Sequence, residues 1–147
     1  WTGVRKVRTS TKPCTQFKLP PNWYAQDELV GSEDCLYLDV YRPDSDTGNL
    51  PVYVWIHGGS NNFDTADAYD MRRMAKKTNA VMVVVQYRLN IFGFFIHPSL
   101  QDGVNPLDDS GNYGILDLIW ARFDRAYAVA SAFFSAVGRQ ESYLDFI

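Results

Sequence analysis

Two apolar runs, Val52–Ile56 (VYVWI) and Ala80–Tyr87 (AVMVVVQY), constrain the fold of this chain more than anything else in it. Both are short, uncharged and rich in β-branched and aromatic residues, so each reads as a strand covered on both faces. Between them lie 23 residues. Of these, Asp64–Thr78 read as a helix, with Asp64 or Thr65 as cap and Ala68, Met71, Met74 and Ala75 at helical spacing. Strand, helix and strand in that order make a βαβ unit with a parallel pair. The predicted class is α/β.

The flanks are read with the same signals. Leu36–Tyr41 (LYLDVY) alternates and predicts a further strand. The PDSDTGNLP stretch is a turn cluster. Its Asp44, Asp46 and Gly48 depart from a calcium loop, because the glycine comes one position early and Trp55 stands where the closing glutamate belongs. Residues 1–34 are loop-rich, with Pro13, Pro20, Pro21 and Gly31 as breakers. Residues 89–112 read as a long loop, and long loops in compact domains are usually functional. From Tyr113 onward Leu116, Ile119, Trp120, Phe123, Tyr127, Ala130, Phe134 and Val137 keep a helical period, and Gly138 suits its stop.

At 147 residues and 46% hydrophobic composition, the chain is long enough for one domain with a real core. A net charge of -3 and scattered basic residues argue against a nucleic-acid partner. No apolar run approaches the ~20 residues of a membrane span. The chain opens on Trp1 without a signal-like stretch, which reads as a processed or cut end. Cys14 and Cys35 lie 21 positions apart. A disulfide there would close an irregular loop, worth about 3 kcal/mol. Two buried thiols in a cytosolic protein are the other reading. Zinc is a third, but His57 and His97 stand at no finger or ribbon spacing. No metal or cofactor is expected.

In an α/β sheet, ligands bind beyond the carboxyl ends of the strands. His57-Gly58-Gly59-Ser60 follows the first apolar run at such an end. Adjacent backbone N–H groups aimed into a cleft can hold an oxyanion, each worth about 10² to 10³ in rate. A tight turn with nothing bound, anchored by His57, is the simpler alternative.

Five ordered stretches carry a family resemblance. GSEDCLYLDVYRP resembles the Glu-Asp-Cys-Leu-Tyr-Leu-(Asn/Asp)-Val signature of type-B carboxylesterases, the cholinesterase-like branch of the α/β-hydrolases. LPVYVWIHGGS resembles the strand and oxyanion loop of that family. VVVQYRLNIFGFF and SGNYGILD resemble its following strand and helix start. WTGVR and Cys14-Thr15-Gln16 are similar to its early region. The matches cover residues 1–119; the tail 120–147 has none. The resemblance implies one partial α/β-hydrolase domain over 1–147, a mixed, mostly parallel sheet with flanking helices, incomplete at both ends. It implies Gly59 and Ser60 as oxyanion donors, with His57 and Gly58 supporting the loop. It also favours a Cys14–Cys35 disulfide, and with it secretion. Trp23 falls in the loop where cholinesterases keep a tryptophan facing their substrates, so it is a candidate gorge residue beside the plainer reading of packing.

The family's nucleophile sits in a Gly-x-Ser-x-Gly elbow, and no such pattern occurs in these residues. None of the triad is recognisable, so the chain alone is expected to be inactive. Two functions follow. It contributes the oxyanion loop to a carboxylic-ester hydrolase acting on a small-molecule ester, or it is a non-catalytic cholinesterase-like binding or adhesion domain. In the family the strand at Val52–Ile56 is flanked by the strand bearing the nucleophile. Without that neighbour an apolar edge is expected to stand open, inviting self-association.

Overall fold

The computed structural model describes residues 12–18, 28–44 and 48–121 and the backbone of 142–145. Two short strands, β1 (Gln16–Phe17) and β2 (Leu29–Val30), form an antiparallel ribbon. The main sheet holds β3 (Tyr37–Tyr41), β4 (Val52–Ile56), β5 (Val81–Val85) and β6 (Ser142–Asp145) in the order β4-β5-β3-β6. β4 and β5 pair in parallel, Val54 opposite Val83, as the βαβ reading requires. β3 runs antiparallel to β5 and to β6. The expected α/β class with a mixed sheet is found, and one of the three pairings described in this sheet is parallel. β6 is an element that the sequence reading did not assign.

β5 is buried throughout because it lies inside the sheet and both faces are covered. Val81, Val83 and Val85 pack with Leu38, Val40, Leu50 and Ala121 on one face. Met82 and Val84 pack with Tyr41, Ala66, Ala75 and Ala80 on the other. β4 corrects the expectation of cover on both faces. Its five residues are 38–58% exposed, since β4 is the edge and β5 is its one described neighbour.

The predicted helix over 64–78 is shorter. Ala66–Ala68 is a single 3₁₀ turn, and α1 spans Arg72–Thr78. The early half is diverted by side-chain acceptors. Gln86 Oε1 accepts the Ala66 N–H at 2.8 Å, and Asp70 accepts the Arg72 N–H at 3.1 Å. α1 stops at Asn79, left-handed at φ 50°, whose N–H bonds back to the Ala75 carbonyl.

The stretch 89–112 is not structureless. It opens with α2 (Asn90–Gly93) and contains 3₁₀ turns at Pro98–Leu100 and Asp108–Ser110. The Asp109 carboxylate accepts the N–H groups of Asp102 and Gly103, which folds the loop onto itself. α3 covers Tyr113–Trp120. The expected continuation of this helix towards Val137 lies outside the described residues.

Candidate functional site

The loop after β4 is set by a run of left-handed backbone. Gly59 has φ 94°, Ser60 56° and Asn61 61°. Gly59 is there by necessity: a Cβ on it would lie 1.9 Å from the Phe63 carbonyl oxygen. That carbonyl belongs to a turn in which Gly59 O accepts the N–H groups of Asn62 at 2.9 Å and Phe63 at 3.3 Å. Gly58 meets no such limit, since nothing lies within 4 Å of a Cβ placed on it. Ser60 pays about 1 kcal/mol for its left-handed backbone. Its N–H and that of Gly59 have no acceptor among the described residues.

Long-range contacts hold this turn from beneath. His57 is buried, and its ring stacks on Tyr87 at 4.7 Å between centroids. The Tyr87 hydroxyl lies 3.2 Å from the His57 carbonyl and 3.3 Å from Asn61 Oδ1, so one proton serves two acceptors on the loop. Asn90 donates its backbone N–H to the Asn61 carbonyl at 2.7 Å and its side-chain amide to Thr15 at 2.8 Å. Gln16 closes the far end with a two-way bond to the backbone of Asp64. Asp64 in turn accepts the Tyr69 hydroxyl at 2.7 Å.

Burial depresses the His57 pKa, only partly opposed by its bond to the Gly58 carbonyl and by the Asp64 charge, so the ring is neutral at physiological pH. With Nδ1 donating to that carbonyl at 3.1 Å, Nε2 is left as a buried lone pair without a partner among the described residues. The hydrogen bond to Asp64 raises the Tyr69 pKa, and burial raises that of Tyr87. Both phenols therefore stay protonated and keep their donor roles.

The structure brings His57, Gly58, Gly59 and Ser60 together at the carboxyl end of β4, where the sequence placed them. Cys14 and Cys35 form a disulfide. It packs with Tyr87 and Leu89 in a core that underlies the loop. A cavity of about 410 Å³ opens beside it, lined by Thr15, Ser32, Glu33, Leu36, Arg88 and Phe92, and none of its walls belongs to the Gly59 turn. Trp23 lies outside the described residues. His97 is exposed and accepts the Ser99 N–H, a capping role. Sequence reasoning gave no role to Gln16, Tyr87 or Asn90, and gave Asp64 only that of a helix cap. No short window marks them for the site, because their partners lie 26 to 75 positions away.

One further pair steadies the neighbouring elements. Arg88 grips the buried Asp117 of α3 through Nε and Nη2, at 2.8 and 2.6 Å, while its own N–H donates to the same carboxylate. These bonds raise the Arg88 pKa further, and the guanidinium also lies over the Tyr113 ring.

Comparison with known proteins gives one consistent result. Residues 1–121 match the model of the carboxylesterase family. The human cocaine esterase is 37% identical over 130 residues, a match covering 82% of this chain and 22% of that protein. The mouse liver carboxylesterase 1 is 49% identical over 92 residues, 61% of this chain and 15% of that protein. Among solved structures, a PNB esterase aligns at TM-score 0.60 and 35% identity, covering 78% of this chain and 23% of that one. A carboxylesterase of Geobacillus stearothermophilus aligns at 0.62 and 34%, covering 82% and 24%. The chain thus spans about a fifth of the length of the curated relatives it matches.

Proposed function

The chain belongs to the carboxylesterase family, and on that premise we propose that it carries the oxyanion-stabilising loop of a carboxylic-ester hydrolase. When a nucleophile adds to an ester carbonyl, the carbonyl oxygen becomes an anion. The amides of Gly59 and Ser60 donate to that oxygen and so favour the transition state over the ester. The observation that carries this reading is the pair of consecutive left-handed residues at the end of β4, whose N–H groups no described residue uses. His57, Tyr87 and Asn90 hold the turn before any ligand arrives, and such preorganisation makes these donors effective.

The nucleophile, its general base and the acid that orients the base are not recognisable in these 147 residues. The part of the reaction assigned to the chain is therefore charge stabilisation and positioning. By itself it binds an anion without turning over an ester.

Two measurements test this. Intact mass after a fluorophosphonate ester probe is expected to stay at 16.8 kDa; a one-adduct shift would show an activated nucleophile among these residues. Amide NMR during titration with methylphosphonate is expected to move Gly59 and Ser60 ahead of all other signals. If those two stay still while other loops respond, the oxyanion assignment is wrong.

A further inference from the structure

Backbone strain in this molecule is gathered at one place. Six non-glycine residues among those described have left-handed backbone. Four of them, Ser60, Asn61, Asp64 and Asn90, lie in the Gly59 turn, at its end or in contact with it. Their φ angles are 56°, 61°, 103° and 47°. A residue with a Cβ keeps such angles only where its surroundings hold it there. The turn's own hydrogen bonds, from Asn62 and Phe63 to the Gly59 carbonyl, reach neither Asp64 nor Asn90.

What holds those two comes from a distant segment of the chain, Cys14–Gln16. The side-chain amide of the buried Gln16 accepts the Asp64 N–H at 2.8 Å through Oε1. Its Nε2 donates to the Asp64 carbonyl at 2.9 Å and to the Cys14 carbonyl at 3.0 Å. The Thr15 carbonyl accepts the Asn90 side-chain amide at 2.8 Å, and Asn90 gives its own N–H to the Asn61 carbonyl at 2.7 Å. The segment therefore grips the turn twice, at Asp64 and at Asn61, the neighbour of the Ser60 amide. It is itself fixed by the Cys14–Cys35 disulfide, whose two residues are each only 1% exposed. Its other main-chain ties are a two-residue ribbon, with Gln16 opposite Val30, and the bond from the Ser32 N–H to the Pro13 carbonyl. A two-stranded ribbon is marginal by itself, so the covalent bond is the firm anchor.

We propose that the Cys14–Cys35 disulfide positions the oxyanion amides at a distance: it fixes Cys14–Gln16, and Gln16 and Asn90 act as positioning residues that carry that fixed position into the turn. The proposal rests on the oxyanion reading of Gly59 and Ser60 and adds what keeps them aligned. Both positioning residues act through the backbone and not on the anion itself. Loss of a support lets the strained turn relax, so the two N–H groups no longer converge on one oxygen. The anion is then bound more weakly by a chain that remains folded.

The test is binding of methylphosphonate to the 147-residue chain, followed at the Gly59 and Ser60 amides by NMR, beside the urea midpoint. Asn90→Gly suits the left-handed backbone and keeps the N–H to Asn61, removing only the bond to Thr15. It is expected to weaken binding about fivefold, the worth of one hydrogen bond, while relief of strain keeps the midpoint near the parent's. A purely structural Asn90 would move the midpoint and leave binding by the folded chain unchanged. Asn79→Gly makes the same exchange at the left-handed end of α1, away from this path, and should leave binding as it is. Cys14→Ser/Cys35→Ser is expected to weaken binding at least as much as Asn90→Gly. Its effect should shrink in the Asn90→Gly background, because the two changes act along one path. Parent affinity in either variant, or full additivity of the two, overturns the proposal and leaves the oxyanion reading standing. A parent whose Gly59 and Ser60 signals ignore methylphosphonate overturns both. If the chain without cysteines fails to fold, Asn90→Gly decides alone.

Discussion

Asp39 gives the sharpest test of the energetics. It sits in the middle of β3, only 1% exposed, between Val84 of β5 and residue 143 of β6. Neither carboxylate oxygen has a hydrogen-bond partner among the described residues. Burial, reinforced by the negative charge of Asp67 on the neighbouring 3₁₀ turn, raises its pKa from 3.8 to about 7. The folded pKa therefore lies above the unfolded one. The group favours the fold fully below about pH 4, and that contribution is lost as pH rises through 7. The shift corresponds to about 4 kcal/mol. Water entry and strand relaxation reduce the loss, so about 2–4 kcal/mol is expected. Asp39→Asn removes the charge at nearly constant volume, and the family signature allows asparagine here. Urea unfolding followed by tryptophan fluorescence, from pH 4.5 to 8.5, measures the difference between the two proteins. The variant should gain about 2–4 kcal/mol over the parent at pH 8, with the gap closing below pH 5. The difference matters, because His57, with its lowered pKa, destabilises the fold as pH falls below 6.5 and bends the raw curve the other way. Parallel curves for the two proteins, or a parent that gains on the variant with rising pH, would refute the reasoning.

Four further outcomes are expected. Gly59→Ala should cost at least 2 kcal/mol, through strain at φ 94° and the clash with the Phe63 carbonyl, whereas Gly58→Ala should be within about 0.5 kcal/mol of the parent; paired urea midpoints decide it. Reducing the Cys14–Cys35 bond should lower stability by about 3 kcal/mol, read as the shift in urea midpoint on adding reductant. Arg88→Ala should cost about 3 kcal/mol, because it leaves the Asp117 carboxylate buried and unpaired, with part of the loss recovered in Arg88→Ala/Asp117→Asn; a double-mutant cycle checks it. Tyr87→Phe should cost about 1 kcal/mol and raise hydrogen exchange at residues 57–63 before any other segment; uniform exchange across the chain would show that the hydroxyl does not hold the loop.

What could be read from the sequence was whatever a short window controls. β5 announces itself because an apolar run must be buried on both faces, and the structure covers it on both. The Gly58-Gly59 pair marks a turn because only glycine relieves the clash at Gly59. Reading failed where distant side chains overrule local preference. The spacing of Ala68, Met71 and Met74 predicts a helix through 64–78. Gln86, however, claims the Ala66 N–H from 20 residues away, and the helix begins only at Arg72. The supports of the candidate site are hidden for the same reason. Tyr87 and Asn90 look like the tail of a strand and the start of a loop until the fold brings them under Asn61.

β4 and Asp39 show the limit from opposite directions. VYVWI has the composition of an interior strand, yet composition states only what burial would reward; strand order decides whether a neighbour is present. LYLDVY alternates as though Asp39 faced water, yet β3 lies between β5 and β6 and the 3₁₀ turn folds over that face. In both places the pattern of one strand is right about its own chemistry and silent about its neighbours. An apolar edge and a buried carboxylate are each costly alone. Both costs fall on the sheet whose strand end carries the Gly59 turn. Relief of the second, by protonation at Asp39, should steady that sheet and raise the protection of Val83 and Val84 against hydrogen exchange. If Asp39→Asn leaves that protection unchanged, β5 holds the sheet whatever the charge of its buried acid.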